Sequence, residues 1–398
     1  MVSSVTVYAQ SYRFSPYPDL WYNDVDGIRV GLRILGEVEG TFKDGPHRLD
    51  AGAWIGSKLP GNPFSYYITL TEPIKSISEY GSEGNIRLYS SIRTGYTKHQ
   101  IQFNKRWQQS FEDLNYFETS FSISTERLFN LDYAVFPMSW STELNNLLKS
   151  SNRFSRSINN FRTNTELTYS FELDQKFDVI QLESINRYQI SDLSKLRIRF
   201  FYRTTDENAR TEFMSYLWTN APIEWVQSGL KRGEGTIPGA LIDQSFIQFS
   251  GGPNLRGYIE HQIENKFNDD WALFATVYSL NFEYVFANPI DKSINKNNLI
   301  GDIVTFESYL FIDIGGALNE TAITNKISIP NVNIIDETGL LMDSGLGFQL
   351  SMNIPDYLGK DRGIFIRYDI PFWVSSPSNN ESNFKYRNVV GIGAIFNF

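Results

Sequence analysis

Apolar and polar residues alternate with a period of two along much of the chain. In the stretch 27–34, Ile28, Val30 and Leu32 alternate with Arg29 and other glycine or arginine positions. A period of two indicates a β-strand with one apolar and one polar face. The pattern recurs at 271–286, 306–317, 345–352, 364–370 and 390–398. Weaker runs of Tyr, Phe, Ile and Thr predict further strands at 47–59, 64–74, 86–96, 101–107, 116–128, 164–173, 179–190, 196–205 and 213–227.

The polar faces of these strands carry charged residues. Glu283 and Asp313 lie opposite the aromatic and aliphatic positions of their strands, and the same holds for Arg33, Arg367 and Asp369. Unpaired charges in a dry core are costly, so these faces are expected to line a hydrated interior. We therefore predict an all-β fold, a transmembrane antiparallel β-barrel of about 16 strands. A soluble β-sandwich would share the alternation.

The last strand ends on the final residue of the chain, which leaves its edge without a following partner. An exposed strand edge is a hazard, and closure against the strand at 27–34 would pair it. The sequence therefore predicts a seam between these two strands, made by Gly27, Arg29, Gly31, Gly391, Gly393 and Phe398. Glycine weakens a strand, which would let the seam open laterally, although small residues also suit a crowded barrel interior.

Three stretches do not fit the strand pattern. Residues 1–24 mix aromatic residues with turn formers and are expected to be a lead-in from an upstream region, with the barrel over 25–398. Residues 131–148 could form a short helix. The polar, Gly-rich stretch 228–270 is long for a loop, and such loops are usually functional or disordered.

Composition narrows the function classes. Aromatic residues make up 15%, mean hydropathy is -0.31 and apolar residues are dispersed, which suits a barrel with aromatic rings at both membrane interfaces. Cysteine is absent and the three histidines, His47, His99 and His261, lack ligand spacing, so no metal or cofactor is expected. The net charge of -9 argues against nucleic acid. The first residues lack a signal-peptide pattern, so an exported protein would be a mature or excised piece.

One loop is a candidate site. Residues 250–258 combine turn-forming glycines with one cation and one aromatic ring: Gly251, Gly252, Leu255, Arg256, Gly257 and Tyr258. A positive φ costs glycine little, so a sharp turn at Gly257 is expected, and the loop is expected to dock against another part of the chain. A plain surface turn is the alternative. A Ser250/His261 pair without a positioned acid is common by chance, so we do not expect an enzyme.

These motifs resemble those of the BamA-like outer-membrane assembly and two-partner secretion proteins. Residues 254–258, Asn-Leu-Arg-Gly-Tyr, resemble the family's Arg-Gly-Tyr/Phe loop motif, and residues 311–315, Phe-Ile-Asp-Ile-Gly, its Phe-x-Asp-x-Gly strand motif. A final strand ending in Phe398 resembles the terminal signal of outer-membrane barrels. The resemblance covers 210–398 and the strand at 26–32, whereas 40–210 carries no motif. Leu255 stands where relatives often have Val or Ile, and residues 1–24 carry no POTRA repeat.

The resemblance implies a long loop folded into the lumen, with Arg256 paired to Asp313, Glu283 as a second acceptor, and Gly315 in the strand motif. It implies a bacterial outer-membrane protein, surrounded by outer-membrane lipids, that helps to insert or translocate polypeptides, with a client polypeptide or an upstream domain as partner. Two alternatives remain open. The barrel could be a membrane anchor or export pore for a fused lipase- or peptidase-like domain, or a passive channel. The loop contact could serve only to make the barrel rigid.

Overall fold

A computed structural model describes most of the chain. It covers residues 12–23, 27–38, 47–58, 64–79, 81–93, 96–109, 114–129, 141–206, 209–210, 213–215, 217, 252–258, 271–290, 293, 303–318, 332–334, 338–355, 361–377 and 381–396.

Eighteen strands are assigned within these ranges. They are β1 Tyr12–Asn23, β2 Gly27–Val38, β3 Arg48–Gly56, β4 Phe64–Pro73, β5 Gly84–Arg93, β6 Tyr96–Gln108, β7 Tyr116–Leu128, β8 Asn145–Ile158, β9 Phe161–Glu172, β10 Asp178–Ser191, β11 Ser194–Thr205, β12 Trp271–Leu273, β13 Thr276–Phe286, β14 Val304–Leu318, β15 Val332–Ile334, β16 Leu341–Pro355, β17 Asp361–Val374 and β18 Val389–Phe396. Short 3-10 turns lie at Lys75–Ile77 and Arg256–Tyr258.

Sixteen of these strands form one sheet in which sequence neighbours are spatial neighbours. The short strands β12 and β15 pair separately with each other, in parallel. The large sheet is antiparallel, for example between β13 and β14 and between β16 and β17. This confirms the predicted all-β fold of about 16 antiparallel strands. The chain divides into two compact units, residues 1–130 with 142–152 and residues 131–141 with 153–398.

In the first unit the exposed face is apolar and the buried face is charged. Ile28, Val30 and Leu32 are about half exposed, whereas Arg29 and Arg33 on the other face of β2 are buried. Arg29 lies 2.8 Å from the carboxylate of Asp19. A water-soluble sheet has the opposite arrangement, so this one matches the wall of a transmembrane barrel.

The second unit has the same inverted polarity. On β14 and β17, Leu310, Ile312 and Ile366 are exposed at 49%, 46% and 47%. Asp313 and Asp369, on the opposite face of the same strands, are fully buried. We call this polar, buried face the inner face. Its charges are tolerated because they are paired with one another across neighbouring strands.

The prediction of a lead-in without a strand over 1–24 is wrong for residues 12–23, which form β1. The carbonyl of Ile28 accepts a hydrogen bond from the amide of Ser57 at 3.0 Å, so even-numbered residues of β2 point their backbone groups at β3. Pro16 and Pro18 stand opposite the even-numbered Ile34 and Leu32. Their missing N–H groups therefore face away from β2, where proline costs the strand pair nothing.

The predicted seam is wrong in one of its two partners. β2 pairs with β1 on one edge and with β3 on the other, so Gly27–Ile34 offers no free edge to the last strand. Position 31 requires glycine for close packing and not for an opening seam, because a Cβ there would lie 2.2 Å from the carbonyl oxygen of Ala53. On β18, Gly391 and Gly393 pair with Arg367 and Phe365 of β17, and Phe398 lies outside the described residues.

Two further predictions change. Residues 145–148 belong to β8 and not to a helix, while 131–140 lie outside the described residues. The strand expected over 271–286 is interrupted after Leu273, and Phe274 forms a bridge with Ser215. Residues 218–227 of the strand expected at 213–227 lie outside the described residues, as do 228–251 and 259–270 of the long loop. In the described ranges no helix has both the length and the apolar character to cross a membrane.

Candidate functional site

Residues 252–258 lie buried against the inner face of the second unit, and Gly251 falls outside the described residues. The segment ends in the 3-10 turn Arg256–Tyr258. Its left-handed residue is Asn254, with φ 59°. Asparagine tolerates this conformation better than other residues with a Cβ, so Asn254 supplies the sharp turn. The amide of Leu255 donates to the carbonyl of Leu217 at 3.0 Å.

Arg256 is the centre of the contact between the segment and the sheet. Its Nε and Nη2 donate to the two carboxylate oxygens of Asp313 at 2.7 and 2.8 Å, and Nη1 donates to Glu283 at 2.9 Å. Both Arg256 and Asp313 are fully buried. The guanidinium plane matches a carboxylate in this two-point geometry, which fixes orientation as well as distance.

The acidic partners converge because they lie on neighbouring strands. Asp313 on β14 stands opposite Asn281 of β13, two residues before Glu283. Asp369 of β17 is 3.8 Å from Arg256. The ring of Phe311 lies 3.7 Å from the guanidinium carbon of Arg256 and covers it with a cation–π contact. The structure thus brings together Arg256, Asp313 and Glu283.

Additional arginines balance the remaining negative charge. Arg367 Nε lies 2.7 Å from Asp369, and Arg197 Nη1 lies 3.5 Å from Glu283. Burial acts to lower the pKa of Arg256, but the nearby Asp313, Glu283 and Asp369 carboxylates outweigh burial and hold that pKa well above its ordinary value. Arg256 therefore stays charged at neutral pH, and its own titration there does not release the segment.

Gly257 is required for space and not for a positive φ. The expected turn at this residue is wrong, since among the described residues the glycines with positive φ are Gly81 and Gly339. A Cβ on Gly257 would lie 2.6 Å from both Asp343 Cβ and Val374 Cγ1. The absent side chain lets the segment approach β16 and β17 closely.

Tyr258 fixes the end of the segment. Its hydroxyl donates to the carbonyl of Met342 at 3.1 Å, lies 3.1 Å from Ser375 Oγ and accepts from the amide of Ser376 at 3.2 Å. The residue is 1% exposed, and burial raises the pKa of its hydroxyl. The ring and the hydroxyl together join the segment to the ends of β16 and β17.

We expect Tyr258→Phe to destabilise the protein by about 1–2 kcal/mol, because the partly buried Met342 carbonyl and Ser376 amide each lose a hydrogen bond. Urea unfolding of the refolded protein in detergent would measure this difference. Tyr284→Phe is the matched control, since Tyr284 is 41% exposed on the apolar face. An equal effect of both variants would contradict a specific role for the Tyr258 hydroxyl.

Arg199 and Asn281 also hold the segment, Glu183 binds Arg199, and none of the three was predicted from the sequence. Arg199 Nη2 donates to the carbonyl of Gly252 at 2.9 Å, and its Nε donates to Glu183 at 2.6 Å. Asn281 Nδ2 lies within donor distance of the carbonyls of Pro253 and Asn254, at 3.1 and 3.0 Å, and of Asp313 at 3.0 Å. The sequence signal that could have indicated Arg199 is the set of arginines at 197, 199 and 203, which share one face of β11.

The other predicted residues lie away from this contact. Gly315 is a place of close approach between strands, since a Cβ there would lie 2.3 Å from the carbonyl oxygen of Tyr278. Arg29 belongs to the separate ion pair with Asp19.

Among the described residues there is no group of three or more acidic, histidine or cysteine side chains that could hold a metal ion.

Comparison with known proteins gives structural matches only. No protein-family model and no curated protein matches the sequence. The structure is similar to BamA from Haemophilus ducreyi lacking POTRA domains 1-3, at TM-score 0.48 and 8% identity over 96% of this chain and 69% of that one. It is also similar to a bacterial polysaccharide outer membrane secretin, at TM-score 0.41 and 7% identity over 96% and 95% of the two chains. Pseudomonas aeruginosa OccK2 (OpdF) gives TM-score 0.33 and 10% identity over 96% and 95%. These scores are too low to bear on function.

Proposed function

We propose that this protein is a BamA-like outer-membrane β-barrel that helps to insert or translocate polypeptides at the bacterial outer membrane. The observation that carries the proposal is the contact of Arg256 with Asp313, which joins the loop and strand motifs that resemble those of this family, with Glu283 as a second acceptor. No catalytic chemistry is part of the proposal, and the Ser250/His261 pair lies outside the described residues.

The exposed faces support a membrane location. In each unit the outward positions of the strands are aliphatic or aromatic and partly exposed, as at Ile28, Val30, Leu310 and Ile312. Exposing such a surface to water would be unfavourable, whereas the acyl chains of lipids match it. We therefore propose outer-membrane lipids as the surrounding partner.

The buried segment favours a polypeptide-handling role over a passive channel. A wide channel needs a hydrated interior, but residues 252–258 fill part of the inner face of the second unit and are buried there. We propose that the segment leaves and returns when a client is handled, with its polar contacts exchanged for water or for the client chain. A client polypeptide is the proposed partner.

An assembly assay tests this function. The purified protein is placed in liposomes, and a urea-unfolded outer-membrane barrel of about eight strands is added as client. We expect the liposomes with this protein to fold the client at least about tenfold faster than empty liposomes, which corresponds to lowering the barrier by about 1.4 kcal/mol. The change in electrophoretic migration on folding provides the measurement.

The matched variant is Arg256→Lys, which keeps the charge but cannot bind Asp313 in the two-point geometry. We expect it to fold and to accelerate the client less than the original protein. Equal folding of the client in empty and protein-containing liposomes would overturn the proposal in favour of an anchor or a channel.

A further inference from the structure

We propose that Arg199 and Asn281 form a binding site for polypeptide main chain, occupied in this structure by residues 252–254. The inference rests on the proposed function and names the atoms that would hold its substrate. We call these two side chains the carbonyl cradle. Its ligand is a run of three backbone carbonyl groups in a turned peptide, as in residues 252–254, where Asn254 has φ 59°.

The contacts of the cradle are with backbone atoms. Arg199 donates to the carbonyls of Gly252 at 2.9 Å and Pro253 at 3.5 Å. Asn281 adds donor contacts to the carbonyls of Pro253 and Asn254. Three consecutive carbonyl groups are therefore bound by two side chains.

The cradle recognises no side-chain polar group of the residues it holds. Gly252 and Pro253 have none. Asn254 is fully buried, and within the described part of the chain neither its Oδ1 nor its Nδ2 has a hydrogen-bond partner. A buried amide without partners costs free energy, so a site built for this particular sequence would be expected to bind it. The arrangement fits a ligand defined by its main chain.

The cradle is held in place by residues outside the segment. Glu183 of β10 accepts from Arg199 Nε at 2.6 Å and balances its charge. Arg199 Nη1 also donates to Asn281 Oδ1 at 3.1 Å, which turns the Asn281 amide so that Nδ2 faces the carbonyl groups. The donors therefore remain oriented when residues 252–254 leave, which lowers the entropy cost of binding another chain.

The second anchor of the segment is separate from the cradle. Arg256 binds Asp313 and Glu283 through its own side chain, whereas Asn281 meets this anchor through a side-chain contact to Asp313 Oδ1 and through its place opposite Asp313 in the β13–β14 ladder. Weakening the Arg256 anchor should therefore empty the cradle without removing its donors. This separation makes the two functions of the segment independently testable.

The test measures the binding of two fluorescent peptides of about ten residues, the length of one spanning strand. One peptide alternates Gly and Ser and the other alternates Gly and Gln, so both offer glycine at the position of positive φ and they differ in their other side chains. Binding is followed by fluorescence anisotropy to the folded protein in detergent. The proteins are the original chain, Arg256→Lys, Arg256→Ala and the double variants that add Asn281→Leu.

We expect both peptides to bind Arg256→Ala at least about tenfold more tightly than the original chain, because the segment competes less well once its second anchor is lost. Arg256→Lys should give an intermediate gain and serves if the alanine variant does not fold. Adding Asn281→Leu should abolish the gain. The matched control is Gln349→Leu, which removes an amide that bonds Ser351 and should leave peptide binding unchanged.

A peptide with esters in place of several amides gives a direct readout of carbonyl recognition, since an ester carbonyl is a weaker acceptor. We expect it to bind several-fold more weakly than the matching amide peptide. Two results would overturn the cradle. One is peptide binding that is unchanged by Asn281→Leu, and the other is binding that depends on the peptide side chains but not on the ester replacement.

The outcome is distinct from that of the assembly assay. Peptide binding with no acceleration of client folding would keep the cradle and overturn the proposed function. Acceleration without peptide binding would keep the proposed function and overturn the cradle.

Discussion

Arg256→Ala is expected to lower the free energy of unfolding by about 3–5 kcal/mol, because it leaves buried carboxylates without their central counter-ion. Asp313 loses both of its bonds to the guanidinium and Glu283 loses one. Two fully buried carboxylates, Asp313 and Asp369, would then face an empty space close to Glu283. The measurement is equilibrium unfolding in urea of the protein refolded in detergent, with the midpoint and slope determined separately.

The control for this variant is Arg153→Gln. Arg153 pairs with Glu166 at 3.3 Å, but both side chains are about a quarter exposed, so the expected loss is at most about 1 kcal/mol. Arg256→Lys should fall between the two, since the charge remains while the two-point geometry is lost. A loss for Arg256→Ala no greater than that for Arg153→Gln would show that the buried network does not depend on Arg256.

The strand pattern could be predicted because alternation is a local property. On β13 and β14 the sequence alone placed Glu283 and Asp313 opposite the exposed Tyr284 and Leu310, and burial follows the same division. β1 was missed because Pro16 and Pro18 normally indicate turns. Their tolerance depends on which edge their missing N–H groups face, and that is known only once the strand is paired.

The candidate site could also be predicted only in part. The contact of Arg256 with Asp313 followed from two short motifs, whereas Arg199 and Asn281 belong to no motif. Polar residues occur at many inner-face positions, and which of them meets residues 252–254 depends on where the segment crosses the sheet. The turn was assigned to Gly257 by its residue type, but the structure uses Asn254 for the turn and Gly257 for close approach.

Gly257→Ala is expected to have the second largest effect, a loss of about 1–3 kcal/mol with displacement of the segment, since overpacking a buried contact has this cost. The added methyl would lie 2.6 Å from Asp343 Cβ and from Val374 Cγ1, and 3.1 Å from Asp343 Cγ. Asp343 Cβ is fixed to the backbone of β16, so it cannot move aside as the end of a long side chain could. The segment must move instead, which pulls Arg256 away from Asp313.

Two measurements separate this steric effect from a general loss of stability. Amide hydrogen exchange should rise in the peptide that contains Leu255 and Tyr258, whose amides donate to the carbonyls of Leu217 and Leu255, before it rises in β13 and β14. Val374→Ala added to Gly257→Ala should restore part of the loss, because it removes one of the two clashing groups. In Gly339→Ala the new methyl meets nothing within 4 Å, but φ is 68°, so strain is expected without displacement of the segment. One result would contradict close approach as the role of Gly257. In Gly257→Ala, amide exchange would rise equally in the segment and in β13, and Val374→Ala would restore no stability.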